Sequence, residues 1–276
     1  MKTLTKGITK AEPAARQRAD ILLVDRGLAP SPQKALALIM AGLVFSGEER
    51  VEKPGQVLPA DRPLAVRATL PFVSRGGLKM DQALEAFDVS VKGKVVADLG
   101  ASTGGFTDCL LQRGARKVIA VDVDTKQLDC HLREDPRVVL LEKNARFLVP
   151  EDFPEKPDVV TADLSFISVL KVLPALKPII PDGPLLVLLK PQFEAGRGQV
   201  GKKGVIREPA VHASVLAKVI EEARNLGFNL RGLLRCTTRG QKGNQEFFVL
   251  WSQGGSSWGQ DRFRQLIREV TGNEND

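Results

Sequence analysis

Two lysines and two acids stand out in this 276-residue chain because each lies beside a short apolar run. They are Lys79 in SRGGLK, Asp163 in ADLSFIS, Lys190 in LLKPQFE and Glu246 in GNQEFF. A lysine accepts a proton near neutral pH only when burial or a second cation lowers its pKa well below about 10.4. Lys79 can supply that second charge to Lys190, and the two acids can orient the ammonium groups. The set therefore predicts a lysine that acts as a general base.

Each of these residues also has a simpler interpretation. A lysine before a proline at a strand end, as at Lys190, is often only a solvated terminus. Glu246 could face outward from an edge strand. The four residues are far apart in the sequence, so only the fold can bring them together.

A glycine-rich turn follows the apolar run that begins at Val95. Glycines are expected where the backbone passes close to a ligand or takes a positive φ, although a purely structural turn would also use them. Asp122 ends the next apolar run, 24 residues after Asp98, where a carboxylate can accept hydrogen bonds from ribose hydroxyls. No Walker-type lysine follows the turn, which argues against phosphate binding. The predicted cofactor contacts are Asp98, Gly100, Ala101, Ser102, Gly104, Gly105, Asp122 and Asn144.

The elements that must position these residues follow from an alternation of short apolar runs with helical segments. Strands are predicted at 95–99, 118–122, 137–141, 158–162, 185–189, 230–237 and 246–251, and helices at 105–113, 168–176 and 209–226. This alternation of strands and helices predicts an α/β fold with a mostly parallel sheet that is covered by helices on both faces. Strand carboxyl ends then share one edge, where such sheets place their sites.

The N-terminal part of the chain has a different pattern of apolar and turn-forming residues. A short amphipathic stretch ends at Gly27, Ser31 and Pro32 begin a second helix, and short strands follow as far as Val66. This predicts a small α+β module. With Arg18-Ala19-Asp20, Lys34-Ala35 and Lys53-Pro54-Gly55, it resembles the RNA-binding domain typified by ribosomal protein S-four.

That resemblance implies that Arg18, Lys34 and Lys53 face phosphates. The chain departs from the usual pattern at Ala19, where a leucine is expected, and at Ser46, which stands in place of an asparagine. A generic helical hairpin with solvated charges is the alternative.

Charge supports a polyanionic partner. The net charge is +7, and residues 1–80 hold 13 basic and 7 acidic side chains while the rest of the chain is nearly neutral. Basic patches of this kind supply non-specific affinity for nucleic acid, although they also serve solubility alone. A second basic stretch, the glycine-rich segment 193–208, predicts a loop that orders on RNA. The RNA contacts predicted outside the first module are Arg75, Arg197, Lys202 and Lys203.

Taken in order, SRGGLK, DLGASTGG, ADLSFIS, LLKPQFE and GNQEFF resemble the TlyA family, once named haemolysins and similar to the FtsJ ribose methyltransferases. The resemblance spans residues 18–251. It implies a Rossmann-like class I methyltransferase sheet, S-adenosylmethionine as cofactor, and a catalytic K-D-K-E tetrad at Lys79, Asp163, Lys190 and Glu246. It also implies methyl transfer to the 2′-oxygen of a cytidine, with ribosomal RNA or ribosomal subunits as partner. That chemistry needs no metal.

The predicted organisation is an arm at 1–15, an RNA-binding domain at 16–67, a linker at 68–75, a methyltransferase domain at 76–254 and a helical tail at 255–276. Cys109, Cys130 and Cys236 lack the spacing of a disulfide framework or zinc knuckle. No apolar stretch is long enough to span a bilayer, so we expect a cytoplasmic protein without a membrane partner. Two alternatives are a non-catalytic ribosome-assembly factor that kept the fold and a membrane-active haemolysin.

Overall fold

The computed structural model describes residues 16–40, 42–47, 49–66, 71–196, 198–201, 204–255 and 259–272. The chain divides into two compact units, Met1–Thr69 and Leu70–Asp276. The predicted arm and the basic residues Arg197, Lys202 and Lys203 lie outside the described residues. Within the described ranges, no helix is both long enough and apolar enough to cross a membrane.

The first unit contains the two predicted helices and several short strands. Its elements are β1 (Arg16–Arg18), α1 (Ala19–Asp25), α2 (Pro32–Met40), β2 (Val44–Ser46), β3 (Glu49–Arg50), β4 (Val57–Pro59) and β5 (Ala65–Val66). Strand β1 pairs with β4, and β2 lies between β3 and β5, all antiparallel. Leu22 and Leu23 of α1 pack with Ala35 and Ile39 of α2 in a small core, which is what the apolar spacing of both helices dictates.

The second unit is built on a seven-stranded sheet. Its strands are β6 (Val95–Leu99), β7 (Lys117–Asp122), β8 (Val138–Glu142), β9 (Val159–Ala162), β10 (Leu185–Leu189), β11 (Asn229–Arg235) and β12 (Phe247–Ser252). They are arranged in the order β11-β12-β10-β9-β6-β7-β8. The five strands from β10 to β8 are parallel, and β12 is antiparallel to both of its neighbours. The α/β prediction is confirmed.

Helices cover both faces of this sheet. They are α3 (Arg75–Ala86), α4 (Gly105–Gln112), α5 (Cys130–Glu134), α6 (Leu173–Leu176), α7 (Pro191–Glu194), α8 (Pro209–Asn225) and α9 (Gln260–Thr271). Alternate residues of β6 enter two separate cores: Val95 and Ala97 pack on the side of α8, whereas Val96 packs on the side of α3 and α4. Burial on both faces explains why these strands read as continuous apolar runs.

Two helical segments differ from their predictions. Helix α3 was not predicted, and it begins inside the segment expected to be a linker, with Ser74 as its N-cap. The stretch 168–176 was predicted as one helix but is divided into a 3₁₀ turn, Val169–Lys171, and α6. Pro174 explains the division, because it has no N–H to continue the ladder of hydrogen bonds. Helix α9 occupies the stretch 261–270 that was predicted to be helical.

The sheet reverses its strand order beside β6. The chain passes from β6 to β7 on one side and later returns to β9 on the other side. Ligands of open α/β sheets bind beyond the strand carboxyl ends at such a switch point. Gly100 and Asp163 directly follow the two strands that form it.

Strand β12 brings Glu246, from the C-terminal part of the chain, to the same edge of the sheet. Because β12 is antiparallel to β10, its first residues lie beside the last residues of β10, and Phe247 is paired with Leu189. Glu246 and Lys190 are the adjoining residues of the two strands. The register alone therefore places this acid and this lysine at the carboxyl edge.

Candidate active site

Lys190 and Asp163 form an ion pair at the switch point. The Nζ atom of Lys190 lies 2.6 Å from Oδ1 of Asp163, with side chains 11% and 25% exposed. The backbone N–H of Asp163 donates to the carbonyl of Leu99 at 2.8 Å, so the acid is fixed to the end of β6. Ser165 adds a second partner, because its Oγ accepts a hydrogen bond from the same ammonium at 2.8 Å.

Lys79 and Glu246 form a second, deeper ion pair. Nζ of Lys79 donates to Oε2 of Glu246 at 2.6 Å, and the side chains are 10% and 3% exposed. Helix α3 presents Lys79 on its buried face together with Met80 and Ala83. The backbone at Gly240 lies directly against the Glu246 carboxylate and leaves no room for a Cβ atom. This pair is covered by protein on its outer side.

The two pairs converge near one buried thiol. Burial raises the pKa of Cys236 to about 12, and the charges of Lys79, Glu246 and Asp163 all act on it. Three members of the predicted tetrad are thus close enough to act electrostatically on one thiol, and the fourth, Lys190, is paired with Asp163. The structure brings together all four residues that sequence analysis singled out.

The glycine turn is shaped by close packing against the rest of the unit. Gly100 has a φ of +79°, and a Cβ atom there would lie 2.6 Å from the carbonyl oxygen of Asp163. Gly104 has a φ of +95° and abuts Leu132, while Gly105 abuts the Ser74 hydroxyl. These contacts explain why larger residues are excluded from the turn. They also bring its first residue against the Asp163 backbone.

Asp98 lies in the interior. It has no exposed surface, and its two carboxylate oxygens accept hydrogen bonds from the hydroxyls of Thr107 at 2.7 Å and Thr161 at 3.0 Å. Burial raises its pKa to about 7, and the two threonine hydrogen bonds oppose that rise. Its contacts are with protein, so direct binding of a cofactor by Asp98 stays a prediction.

Asp122 supports the turn from the end of β7. Its Oδ2 accepts from the N–H of Ser102 at 2.8 Å, and its Oδ1 accepts from the N–H of Asp124 at 3.1 Å. Each carboxylate oxygen retains capacity for a further donor. Val123, which follows directly, is 64% exposed. Asn144 is exposed and accepts from the N–H of Arg146, so it caps the short turn after β8.

An aromatic pair flanks Lys190. The rings of Phe166 and Phe193 are 5.2 Å apart and inclined by 44°, and Nζ of Lys190 lies 6.0 Å from the Phe193 centroid. Phe166 is 87% exposed, which is unusual for so large an apolar side chain. Sequence analysis missed Ser165 and Phe166 as functional candidates. Their position directly after Asp163, within the same motif, was the available signal.

The predicted RNA contacts are surface residues wherever the structure describes them. Arg18, Lys34 and Lys53 are exposed in the first unit, and the Arg18 guanidinium holds the pKa of the Asp20 carboxyl below its usual value. Arg75 is exposed in the second unit, where it donates to the carbonyl of Arg239 at 3.1 Å.

Potential metal ligands cluster elsewhere. In the described part of the chain, Asp129, Cys130 and His131 form the group of such side chains, with ligand atoms within 4.8 Å of one another. No member of the tetrad belongs to this group. The expectation that the chemistry needs no metal is untested and stays a prediction.

The sheet order, the glycine turn at the switch point and the acid after the second parallel strand define a class I methyltransferase domain. The glycine turn and the four residues of the tetrad all lie in the second unit. The sequence profile of the FtsJ-like methyltransferases matches residues 72–253, and the chain belongs to that family.

Similar proteins extend over most of the chain. An rRNA methyltransferase candidate of Bacillus subtilis, YqxC, is 48% identical over 85% of both chains. The 16S/23S rRNA (cytidine-2′-O)-methyltransferase TlyA of Mycobacterium tuberculosis is 46% identical, over 86% of this chain and 90% of its own. The solved structure of a hemolysin candidate from Streptococcus thermophilus is 39% identical, with a TM-score of 0.72 over 93% of this chain and 96% of its own. The resemblance noted in the motifs is confirmed.

Proposed function

We propose that this chain is an S-adenosylmethionine-dependent methyltransferase that acts on the 2′-oxygen of a cytidine in ribosomal RNA. The observation that carries the proposal is that the Lys190–Asp163 and Lys79–Glu246 ion pairs lie at one edge of the sheet, where the Asp163 backbone contacts Gly100. Similarity to the cytidine-2′-O-methyltransferase of M. tuberculosis supports this choice of substrate. The same substrate implies a cytoplasmic protein.

The cofactor fits the donor set at the switch point. Asp122 offers carboxylate oxygens for ribose hydroxyls, and Val123 offers an exposed apolar surface for the adenine. Asn144 supplies a polar group on the following loop, while Gly100, Ala101, Ser102, Gly104 and Gly105 form the turn that would follow the methionine part. When bound, S-adenosylmethionine supplies an electrophilic methyl group on a positively charged sulfur. Asp98 would then act from the interior by holding the turn.

Lys190 is the better placed of the two lysines to take a proton from substrate. Its partner Asp163 is 25% exposed, whereas Glu246, the partner of Lys79, is 3% exposed and covered by Gly240. A ribose hydroxyl can therefore approach Lys190 from solvent. The hydroxyl proton passes to Nζ of Lys190, and Asp163 stabilises the ammonium that forms.

RNA binding would use both units. The exposed Phe166 ring, beside Phe193 and Lys190, can stack on the base of a nucleotide turned out of its helix. The first unit would act as the RNA-binding domain, with Arg18, Lys34 and Lys53 on phosphates. We assign Arg75, Arg197, Lys202 and Lys203 to the same role in the second unit, on the strength of their charge alone.

The test is methyl transfer to ribosomal RNA from cells that lack the gene. Wild-type protein and radiolabelled cofactor should yield 2′-O-methylcytidine after nuclease digestion and mass spectrometry. Lys190→Ala should lose this transfer, and Lys156→Ala is its matched control, since Lys156 is a surface lysine that is 66% exposed. A methyl group on a base would contradict the proposal. Cofactor and RNA binding without transfer would favour a non-catalytic assembly factor.

A further inference from the structure

The ammonium of Lys190 has two polar partners on one short turn. Oδ1 of Asp163 lies 2.6 Å from Nζ and Oγ of Ser165 lies 2.8 Å from it. A lysine nitrogen has three N–H positions. Ser165 accepts a hydrogen bond from one of them, whereas Oδ1 of Asp163 forms an ion pair with the nitrogen but accepts no hydrogen bond from the described residues.

The turn that carries Ser165 has an uncommon backbone conformation. Phe166 has a φ of +63°, in the left-handed region that large side chains rarely adopt. The ring of Phe166 is 87% exposed, so burial of the ring does not account for this conformation. Strained residues of this kind persist where the surrounding structure fixes them, and they are concentrated at functional sites.

Hydrogen bonds hold the turn at both ends. The N–H of Asp163 donates to the carbonyl of Leu99, and the N–H of Val169 donates to the Glu194 carboxylate, each at 2.8 Å. Burial raises the pKa of Glu194, and the hydrogen bond from Val169 opposes that rise. One end is thus attached to β6 and the other to α7, the helix that directly follows Lys190. Ser165 lies within this fixed turn, and its hydroxyl contacts the lysine.

We propose that Ser165 is a positioning residue that aims the lone pair of Lys190 at the substrate hydroxyl. The inference rests on the proposed function and deepens it. In the neutral amine, one N–H bond points to the Ser165 hydroxyl, and this contact restricts the directions that the lone pair can take. During transfer the O–H bond of the ribose breaks and its proton bonds to Nζ. The oxygen electron pair bonds to the methyl carbon, and the carbon–sulfur electron pair stays on sulfur.

The test compares Ser165→Ala with Ser165→Thr, which keeps a hydroxyl, and with Ser214→Ala. Ser214 is an exposed serine of α8 whose hydroxyl donates to the carbonyl of Val211. Steady-state kcat and KM for RNA are measured at several pH values, and cofactor affinity is measured by calorimetry. Loss of orientation at a reacting group costs about 10- to 100-fold.

We expect Ser165→Ala to lower kcat at least 10-fold at every pH, with KM and cofactor affinity within about twofold of wild type. Ser165→Thr should recover most of kcat, and Ser214→Ala should stay near wild type. Unchanged kcat in Ser165→Ala would overturn the inference, as would equal loss in Ser165→Thr or a loss confined to KM. Inactive wild-type protein would instead contradict the proposed function.

Discussion

The fully buried Asp98 carboxyl gives a pH dependence of stability that follows from its surroundings. The structure raises its pKa from 3.8 to about 7, mainly by burial. In the unfolded chain the group ionises near 3.8, so between about pH 4 and pH 7 the folded protein binds the extra proton. The stability that Asp98 contributes is therefore fully present below about pH 4, and it is lost as the pH rises through 7. Three pKa units correspond to about 4 kcal/mol in the free energy of unfolding.

Asp98→Asn removes this titration and keeps nearly the same shape. Its oxygen can still accept from Thr107 or Thr161, and its amide is neutral at every pH. The stability of wild type relative to this variant should therefore fall by about 4 kcal/mol between pH 4 and pH 8. Titration of all other groups is common to both proteins and cancels in the difference.

Urea unfolding followed by tryptophan fluorescence measures that difference. The chain has two tryptophans, Trp251 and Trp258, and no tyrosine, so the signal comes from the second unit alone. Trp251 is fully buried and will report the loss of the core. Asp182→Asn is the control, because the Asp182 side chain is 91% exposed and its curve should parallel wild type. A constant difference between wild type and Asp98→Asn across the pH range would refute the reasoning.

Three further outcomes are expected. Glu246→Ala leaves the Lys79 ammonium buried without its partner, which should cost about 3–5 kcal/mol of stability in urea unfolding, whereas Lys79→Met with Glu246→Leu should restore stability without activity. Gly100→Ala places a methyl group 2.6 Å from a backbone oxygen, so it should lower both the thermal midpoint of unfolding and the cofactor affinity. Gly93 has a similar φ of +74° but open space around its Cβ position, so Gly93→Ala should lower the thermal midpoint alone. Phe166→Ala should raise KM for RNA by about 10-fold and leave cofactor affinity unchanged in calorimetry, since base stacking is worth about 1–3 kcal/mol; equal KM values would contradict a stacking role.

The local sequence predicts the sheet well because parallel strands that are buried on both faces consist of unbroken apolar runs. Val95–Leu99 and Leu185–Leu189 are fully buried and were found on that basis. Helix α3 was missed since its first turn, Arg75-Gly76-Gly77, has poor helix formers. Tertiary contact explains the glycine, because a Cβ atom at Gly77 would collide with Phe72.

Side-chain partners depend on contacts that sequence cannot supply. The sequence pointed to all four residues, but the acid with which each lysine pairs depends on how α3, which carries Lys79, packs in the core that it shares with β12. Asp98 belongs to the cofactor motif, yet the hydroxyls that enclose it come from residues 9 and 63 positions away. The exposure of Phe166 and its left-handed backbone are likewise not predicted by its residue type.

Single-turnover methyl transfer by Lys190→Ala, with binding measured on the same preparation, tests the central claim most directly. We predict that Lys190→Ala slows methyl transfer to ribosomal RNA by about 10²- to 10⁴-fold, while its affinities for cofactor and RNA stay near those of wild type. Transfer at the wild-type rate would contradict the assignment of Lys190 as the base that the two ion pairs hold in place.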